Sequence, residues 1–173
     1  MNNDELRAKL AAVTAGDMAA FEEIYSQLKT PMFTIILRVT QDKSLSEDIL
    51  QEVFVKLYQS PPLDAKNPRA YIFQMARNLA VDGARAQPRF EGSDSLESLE
   101  SLAYVSDHDL KMDIETALQS LPSQECQIVS LHVNGGLKFR EIAPMLDLPL
   151  GTAIWKYHKA IGRLRSQLSG GAI

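Results

Sequence analysis

The sequence has one cysteine, Cys126, and three widely separated histidines in 173 residues. A single cysteine excludes an internal disulfide and any metal site built from several cysteines. His108, His132 and His158 lack metal-ligand spacing, so no metal and no other cofactor is expected. The segment Asn134-Gly135-Gly136 suits a helix end and turn better than a phosphate-binding loop after a strand. These absences argue against an enzyme, and no small-molecule substrate is expected.

Long hydrophobic runs are missing as well. No window approaches the ~18 uninterrupted apolar residues that a membrane span requires. The first residues, MNNDELRAKLAAV, are polar and lack the pattern of a signal peptide. Hydrophobic residues make up 45% of the chain and charged residues 23%, which is enough apolar material for a globular core. We therefore expect a cytoplasmic protein with no membrane insertion.

The negative charge is concentrated in the middle of the chain. Residues 1–86 carry ten Lys/Arg against eleven Asp/Glu, net −1; residues 87–109 carry one against six, net −5; residues 110–173 carry seven against five, net +2. The middle segment is rich in Ser, Asp and Glu and has neither steady periodicity nor helix caps. The sequence therefore predicts an all-α fold, with two small helical domains, 1–86 and 110–173, joined by an acidic flexible linker, 87–109.

Helical periodicity divides the first domain. Asp17 is a good N-cap for a helix that ends before Thr30-Pro31, where a second, almost entirely apolar helix is predicted to begin. A third helix, with Ser44 or the competing Ser46 as its cap, follows. Its inner face comprises Ile49, Val53, Phe54 and Leu57, and its outward side chains include Asp48, Gln51 and Glu52.

Asn67-Pro68 predicts the start of the next helix, because a cap residue is followed by a proline in the first helical position. Tyr71, Phe73, Gln74, Arg77 and Asn78 are predicted on its surface. Aromatic and basic side chains interleaved on one helix suit single-stranded nucleic acid, where rings stack on bases. The alternative is that Tyr71 and Phe73 belong to the core.

Residues 138–168 predict two helices joined by a tight turn. The first helix has an apolar face at helical spacing, and the turn contains Asp147, which tolerates a left-handed conformation, before Pro149 opens the second helix. The apolar stripe of the second helix comprises Ala153, Tyr157, Ala160, Ile161, Leu164 and Leu168; its opposite face comprises Ile154, Trp155, Lys156, His158, Lys159, Arg163 and Arg165. This layout is typical of a DNA-binding helix-turn-helix. The alternative is an ordinary helical hairpin with a solvated basic face.

Three segments in this order resemble the extracytoplasmic-function (ECF) sigma factors of bacterial RNA polymerase. They are SEDILQEVFVKLY, NPRAYIFQMARNLAVDGAR and, after the acidic segment, LPSQECQIVSLHVNGGLKFREIAPMLDLPLGTAIWKYHKAIGRLR. The resemblance implies an N-terminal domain that docks on the polymerase clamp and opens the minus-ten element. It also implies a C-terminal helix-turn-helix domain that reads the minus-thirty-five element. Pro144, Ile154 and Trp155 depart from the family pattern, and Pro144 is expected to cost its helix a backbone hydrogen bond.

The resemblance also implies roles for individual residues. The polymerase-docking residues are Asp48, Gln51, Glu52 and Phe54. The minus-ten residues, after a loop that captures an extruded base, are Lys66, Asn67, Arg69, Tyr71, Gln74, Arg77 and Asn78. The minus-thirty-five residues are Thr152, Ile154, Trp155, Lys156, His158 and Lys159, with Arg163 expected on a phosphate.

The implied function is that of a transcription initiation factor, which directs core RNA polymerase to specific promoters. Its expected partners are core RNA polymerase, promoter DNA and an anti-sigma factor, which the family commonly has. Two other classes stay open: a stand-alone helix-turn-helix regulator with a helical sensor domain, and a helical adaptor whose hairpin touches only protein. The outward position predicted for Trp155, among Lys156 and Lys159, argues against the adaptor.

Overall fold

The chain forms two compact units, Met1–Ser98 and Leu99–Ile173. The structure, a computed structural model, describes residues 1–86, 117, 118 and 120–170, with the backbone alone at 168–170. Every helix longer than one turn within these residues carries a label from α1 to α7, and no strand occurs among them. The expectation of two helical domains is confirmed. The predicted linker, residues 87–109, lies outside the described residues, and the domain boundaries stay predictions.

The first unit consists of four helices: α1 (Asn3–Thr14), α2 (Met18–Thr40), α3 (Lys43–Gln59) and α4 (Pro68–Ala86). Helix α2 packs against the other three. Its second half contributes Met32, Phe33, Ile35, Ile36 and Leu37 to the core, as its apolar sequence predicts. The stripe predicted on α3, from Ile49 to Leu57, is also buried.

Helix α1 was not predicted. Asn2 is its N-cap and accepts a hydrogen bond from the Glu5 N–H at 2.8 Å. Leu6, Leu10 and Val13 recur at helical spacing and are buried. Gly16, at φ 92°, provides the left-handed residue that lets the chain turn into α2.

The predicted break at Thr30-Pro31 is wrong. Helix α2 runs through Pro31 without ending, although a proline inside a helix removes one backbone hydrogen bond. The buried face continues on both sides of the proline, with Ile24 and Leu28 before it and Met32 after it. Burial of these side chains stabilises the helix by more than the missing hydrogen bond costs, since each contributes about 1.5–3 kcal/mol.

The predicted caps of α3 are also wrong. Asp42 is the N-cap, and its carboxylate accepts from the Leu45 N–H at 2.8 Å. Ser46 is fully buried and hydrogen-bonds the Asp42 carbonyl oxygen and the Thr40 hydroxyl instead. The predicted start of α4 is confirmed, because Asn67 Oδ1 accepts from the Ala70 N–H at 3.0 Å.

The second unit contains three packed helices, α5 (Ser123–Val133), α6 (Phe139–Met145) and α7 (Leu150–Gly170). Leu121, Cys126, Val129 and Ala160 form one part of its core, with Tyr157, Ile161 and Leu164 packed against them. The predicted apolar stripe of α7 is confirmed as far as Leu164, and the Leu168 side chain lies outside the described residues. Helix α6 continues past Pro144 by one residue and ends.

Candidate nucleic-acid interface

The turn between α6 and α7 has the geometry that the sequence predicts. Asp147 is left-handed, with φ 53°, and the Leu148 N–H donates to the Ala143 carbonyl at 2.8 Å. The Pro149 carbonyl accepts the first hydrogen bond of α7, from the Ala153 N–H. Helix α7 thus begins one residue later than predicted. A short helix, a tight turn and a long helix make this a helix-turn-helix, with α7 in the position of a recognition helix.

The predicted outer face of α7 is at the surface. Trp155 is 57% exposed, and the Lys159 ammonium lies 4.6 Å from the centre of its ring. His158 and Lys159 are exposed, and Thr152, Ile154 and Lys156 are half-buried. An exposed tryptophan held by a cation–π contact is not a core residue. The face formed by Trp155, His158 and Lys159 is called the α7 face below.

An aromatic cluster holds the three helices of this unit together behind the α7 face. The His132 ring stacks on Phe139, with ring centres 4.4 Å apart, and meets the edge of Tyr157 at 5.0 Å. His132 Nδ1 lies 2.8 Å from the Leu137 carbonyl oxygen. These contacts join α5, α6 and α7, so the orientation of α7 is fixed from inside the unit. His132 therefore has a structural role.

The structure gives Arg163 a different role from the predicted one. Its Nη1 donates to Glu125 Oε2 at 2.7 Å, and Glu125 is only 4% exposed. If Arg163 turned to a phosphate, it would leave a buried carboxylate without its counter-charge, which is strongly unfavourable. The sequence analysis did not predict this ion pair, and a phosphate contact of Arg163 stays a prediction.

A second candidate face lies on α4. Tyr71, Gln74 and Asn78 follow at intervals of three and four residues and are exposed, Tyr71 by 52%. They therefore share one side of the helix and are called the α4 face below. Lys66 is exposed in the loop before the helix. Phe73 is fully buried, so the expectation that it lies at the surface is wrong, whereas Tyr71 is confirmed there.

Arg69, Arg77 and Asn67 are not part of the α4 face. The Arg69 guanidinium donates to the Met1 carbonyl at 3.3 Å and lies 5.4 Å from the Phe73 ring centre. Burial lowers the pKa of Arg69 from its ordinary value. Arg77 is half-buried with a partner of its own, and the Asn67 side chain caps α4. Direct base contact is therefore better supported for Tyr71, Gln74 and Asn78.

The predicted polar surface of α3 is present. Asp48, Gln51 and Glu52 are exposed, and Glu52 pairs with Lys56 at 3.3 Å across one helical turn. An exposed pair of this kind is worth little, about 0.3–0.5 kcal/mol, so Glu52 is free to exchange partners. We call these three residues the α3 face.

Phe54 is the exception among the predicted docking residues. It is 5% exposed and packs against Tyr25, with ring centres 4.6 Å apart, and against Phe21 at 6.2 Å. Contact with a partner would fall to its exposed neighbours Tyr25, Val55 and Tyr58. None of these three was predicted as a docking residue, although Val55 and Tyr58 continue the side of α3 that begins at Asp48 and Gln51.

Membrane-spanning helices and metal sites have no candidates in the part of the chain that the structure describes. None of its helices combines the length and the apolar character needed to cross a bilayer. These same ranges hold no group of three or more His, Cys, Asp or Glu side chains that could hold a metal ion.

The chain is similar in sequence to known sigma factors. The sigma-70 region 2 family matches residues 24–90. The ECF RNA polymerase sigma factor SigK of Mycobacterium ulcerans (strain Agy99) is 26% identical over 177 residues, covering 96% of this chain and 95% of the relative. SigL of Mycobacterium tuberculosis (strain ATCC 35801 / TMC 107 / Erdman) is 25% identical, covering 93% of this chain and 96% of SigL.

Two solved structures share the fold at 18% sequence identity and a TM-score of 0.62 each. One is CnrH in complex with the cytosolic domain of CnrY, which matches 96% of this chain and 98% of the solved chain. The other is the sigma factor RpoE in complex with the anti-sigma factor NepR from Bartonella quintana, at 86% and 96%. The family match, the relatives of nearly equal length and the shared fold make this chain similar to sigma factors of RNA polymerase over nearly its whole length. The named relatives are ECF sigma factors, so the resemblance to that family seen in the sequence is confirmed.

Proposed function

We propose that this sigma factor binds core RNA polymerase through the α3 face, opens the minus-ten element with the α4 face and reads the minus-thirty-five element with the α7 face. The observation that carries the proposal is the exposure of these three chemically distinct surfaces on a sigma-factor fold. The α3 face is acidic and polar, the α4 face offers a ring beside two amides, and the α7 face joins a ring to cations. Each surface suits one of the three tasks.

Transcription in vitro tests the proposal as a whole. Purified chain and core polymerase are incubated with genomic DNA, and the starts of the transcripts are sequenced. We expect a small set of starts that appears only when the chain is present and that shares two short upstream sequence elements. A pull-down with core polymerase, followed by gel filtration, is expected to show a stable complex. Starts that do not depend on the chain would contradict the proposal.

The relatives suggest one further partner. Both solved structures hold the matching chain together with another protein: CnrH with the cytosolic domain of CnrY, and the sigma factor RpoE with the anti-sigma factor NepR. We therefore expect this chain to bind an anti-sigma factor too. Such a partner should compete with core polymerase for the chain in gel filtration.

Reversing the charge of Glu52 should weaken binding to core polymerase. Residues that dominate an interface typically cost about 2 kcal/mol or more when changed, which is roughly a 30-fold increase in Kd. Glu52→Lys should show this loss with an unchanged melting curve, because Glu52 is exposed and its pair with Lys56 is weak. Glu22→Lys is the matched control, since Glu22 is an exposed carboxylate on a different helix, α2. Equal affinity for core in wild type and Glu52→Lys would remove the α3 face from the proposal.

Removing the ring of Tyr71 should impair promoter opening. Stacking of one base on an aromatic ring is worth ~1–3 kcal/mol, whereas unstacking one duplex step costs about 1.4 kcal/mol. Tyr71→Ala should therefore slow transcription from a closed duplex and be partly rescued by a template with a pre-melted minus-ten element. Tyr71→Phe keeps the ring and should behave like wild type. Equal defects of Tyr71→Ala on both templates would indicate a docking or folding defect.

Trp155→Ala should change promoter choice with little effect on stability. The loss of a base-reading contact typically costs ~1–3 kcal/mol and relaxes selectivity at one position. Holoenzyme selection from a library randomised over the minus-thirty-five element would measure this change. Arg165→Ala, which alters an exposed residue two turns or more further along α7, serves as the control. If Trp155→Ala keeps the same preferences and lowers the melting temperature, Trp155 acts in packing alone.

A further inference from the structure

Helix α1 holds the loop that precedes the α4 face. The Arg7 guanidinium projects from α1 and donates, through Nη2, to the carbonyl oxygens of Ala65 at 3.0 Å and Lys66 at 3.2 Å. The loop contributes two backbone hydrogen bonds of its own nearby, from the Leu63 N–H to the Pro61 carbonyl and from the Ala65 N–H to the Pro62 carbonyl. Two consecutive peptide groups at the end of the loop are thus directed at one cation.

Two carbonyls that converge on one guanidinium have fixed orientations. The peptide group is planar, and the structure has no cis peptide bond among the described residues. In a trans peptide the N–H points opposite to the C=O. Because the Ala65 carbonyl points at Arg7, the Lys66 N–H is directed away from α1. Arg7 therefore sets which polar groups this part of the loop offers to a ligand.

The same helix also fixes the start of α4. Asn3 Oδ1 accepts from the Arg69 N–H at 3.3 Å, while Asn67 Oδ1 accepts from the Ala70 N–H. The first N–H groups of a helix have no partner within it, so one cap comes from the loop and the other from α1. The loop and the first turn of α4, which leads directly to Tyr71, are both tied to the N-terminal turns of α1.

The packing of α1 does not depend on Arg7. Leu6, Leu10 and Val13 bury the apolar side of α1, and Lys9 pairs with Glu23 of α2 at 2.5 Å. Arg7 is half-buried and its hydrogen bonds go to the loop. A residue that packing does not require, and that makes charge-assisted bonds to a backbone segment, serves to shape that segment.

We infer that Arg7 is a positioning residue for promoter opening: it holds the loop from Leu63 to Asn67 in the conformation that receives an extruded base of the non-template strand. This inference rests on the proposed function of the α4 face and assigns part of that function to α1. It follows that α1, which touches no DNA in this proposal, controls the affinity of the chain for the opened strand.

The test uses the full chain bound to core polymerase and a single-stranded oligonucleotide carrying the minus-ten sequence of a promoter found by start mapping. Each nucleotide in turn is replaced by an abasic residue. In wild type, one position should lose affinity strongly when its base is removed. In Arg7→Ala, the intact oligonucleotide should bind about tenfold more weakly, as expected for lost hydrogen bonds to a charged donor, and removal of that base should have little further effect. Arg7→Lys, which keeps the charge without the planar fork, should be intermediate.

Lys9→Ala is the matched control, because it breaks a contact of the same helix that does not involve the loop. It should bind like wild type and keep the same sensitive position. A merely structural defect in Arg7→Ala would weaken all oligonucleotides alike and leave the ratio between intact and abasic forms unchanged, which would overturn the inference. If the sensitive position and the Tyr71→Ala defect are both present while Arg7→Ala matches wild type, only the role of Arg7 fails. If no position is sensitive and Tyr71→Ala has no effect, the proposed function of the α4 face fails with it.

Discussion

Replacing Arg163 with alanine should destabilise the C-terminal unit by about 3 kcal/mol, because removal of one partner from a buried ion pair leaves an uncompensated charge. Glu125 is 4% exposed, whereas the Arg163 side chain is 43% exposed. The effect should therefore lie at the lower end of the range for such pairs. Urea unfolding followed by circular dichroism measures the loss, and hydrogen exchange of residues 120–167 shows that it belongs to this unit.

A double mutant separates the ion pair between Arg163 and Glu125 from the predicted contact of Arg163 with a DNA phosphate. If the penalty comes from the isolated carboxylate, Glu125→Gln combined with Arg163→Ala should recover much of the stability lost in Arg163→Ala alone. Arg165→Ala, on the exposed side of the same helix, should have little effect on unfolding. Normal stability of Arg163→Ala together with weaker binding to all DNA sequences would restore the phosphate contact expected from the sequence.

The Arg163 result shows where prediction from the sequence ends. The periodicity of α7 correctly puts Arg163 outside the apolar stripe, and a cation on the outer side of a recognition helix is typical of a phosphate contact. Its partner, Glu125, lies 38 residues earlier in the chain. No local pattern links the two positions, because their proximity arises only when α5 packs against α7. The role of a residue that depends on tertiary packing, such as this ion pair, cannot be predicted from local sequence patterns.

Helix-cap preferences, turn preferences and hydrophobic periodicity predicted the structure correctly where a single sequence signal was present. Asp17 and Asn67 were predicted as helix caps and are caps. The turn at Asp147 follows from its tolerance of positive φ, and the buried stripe of α3 follows from its periodicity. Trp155 lies outside the apolar stripe of α7 and is exposed.

The rules failed where packing overrode a local signal or where two signals competed. Pro31 does not end α2, because a continuous buried face supports both halves of the helix. At α3, the earlier Asp42 took the cap position from Ser44 and Ser46. Helix α1 has only three buried positions, so its helical periodicity in the sequence is a weak signal. Asn2, which is its N-cap, would have strengthened the prediction of a helix. Missing α1 also meant missing Arg7.

Free chain and holoenzyme should differ by at least 1,000-fold in their affinity for promoter duplex, as specific and non-specific DNA binding commonly do. Duplex affinity rests largely on the release of counterions by cations that meet phosphates. Residues 110–173 have a net charge of only +2, and the ion pair with Glu125 occupies Arg163. The cations that remain along the described part of the second unit are Lys138, Arg140, Lys156, Lys159 and Arg165.

These five cations limit what the described part of the second unit can contribute to the salt dependence. If all of them met phosphates, they would contribute about −4.5 to the slope of log K against log salt, since each contact contributes about −0.9. We therefore expect a Kd of ~10⁻⁴–10⁻⁶ M for the free chain at physiological salt, the range of non-specific binders. Fluorescence anisotropy with a labelled promoter duplex, at several salt concentrations and with a scrambled duplex as the control, measures both quantities.

Core polymerase should convert this weak binding into specific recognition, with a Kd of ~10⁻⁹ M or lower. In the proposed arrangement, core polymerase holds the α4 face and the α7 face on one DNA molecule at the same time, so the two contacts reinforce each other. At a limiting concentration of core polymerase, Glu52→Lys should reduce this gain without changing the weak binding of the free chain, because the α3 face does not touch DNA in the proposed arrangement. If the chain were a stand-alone helix-turn-helix regulator, core polymerase would not be needed for tight DNA binding. Such a protein would bind its site at nanomolar concentration without polymerase, and neither core enzyme nor Glu52→Lys would alter its affinity.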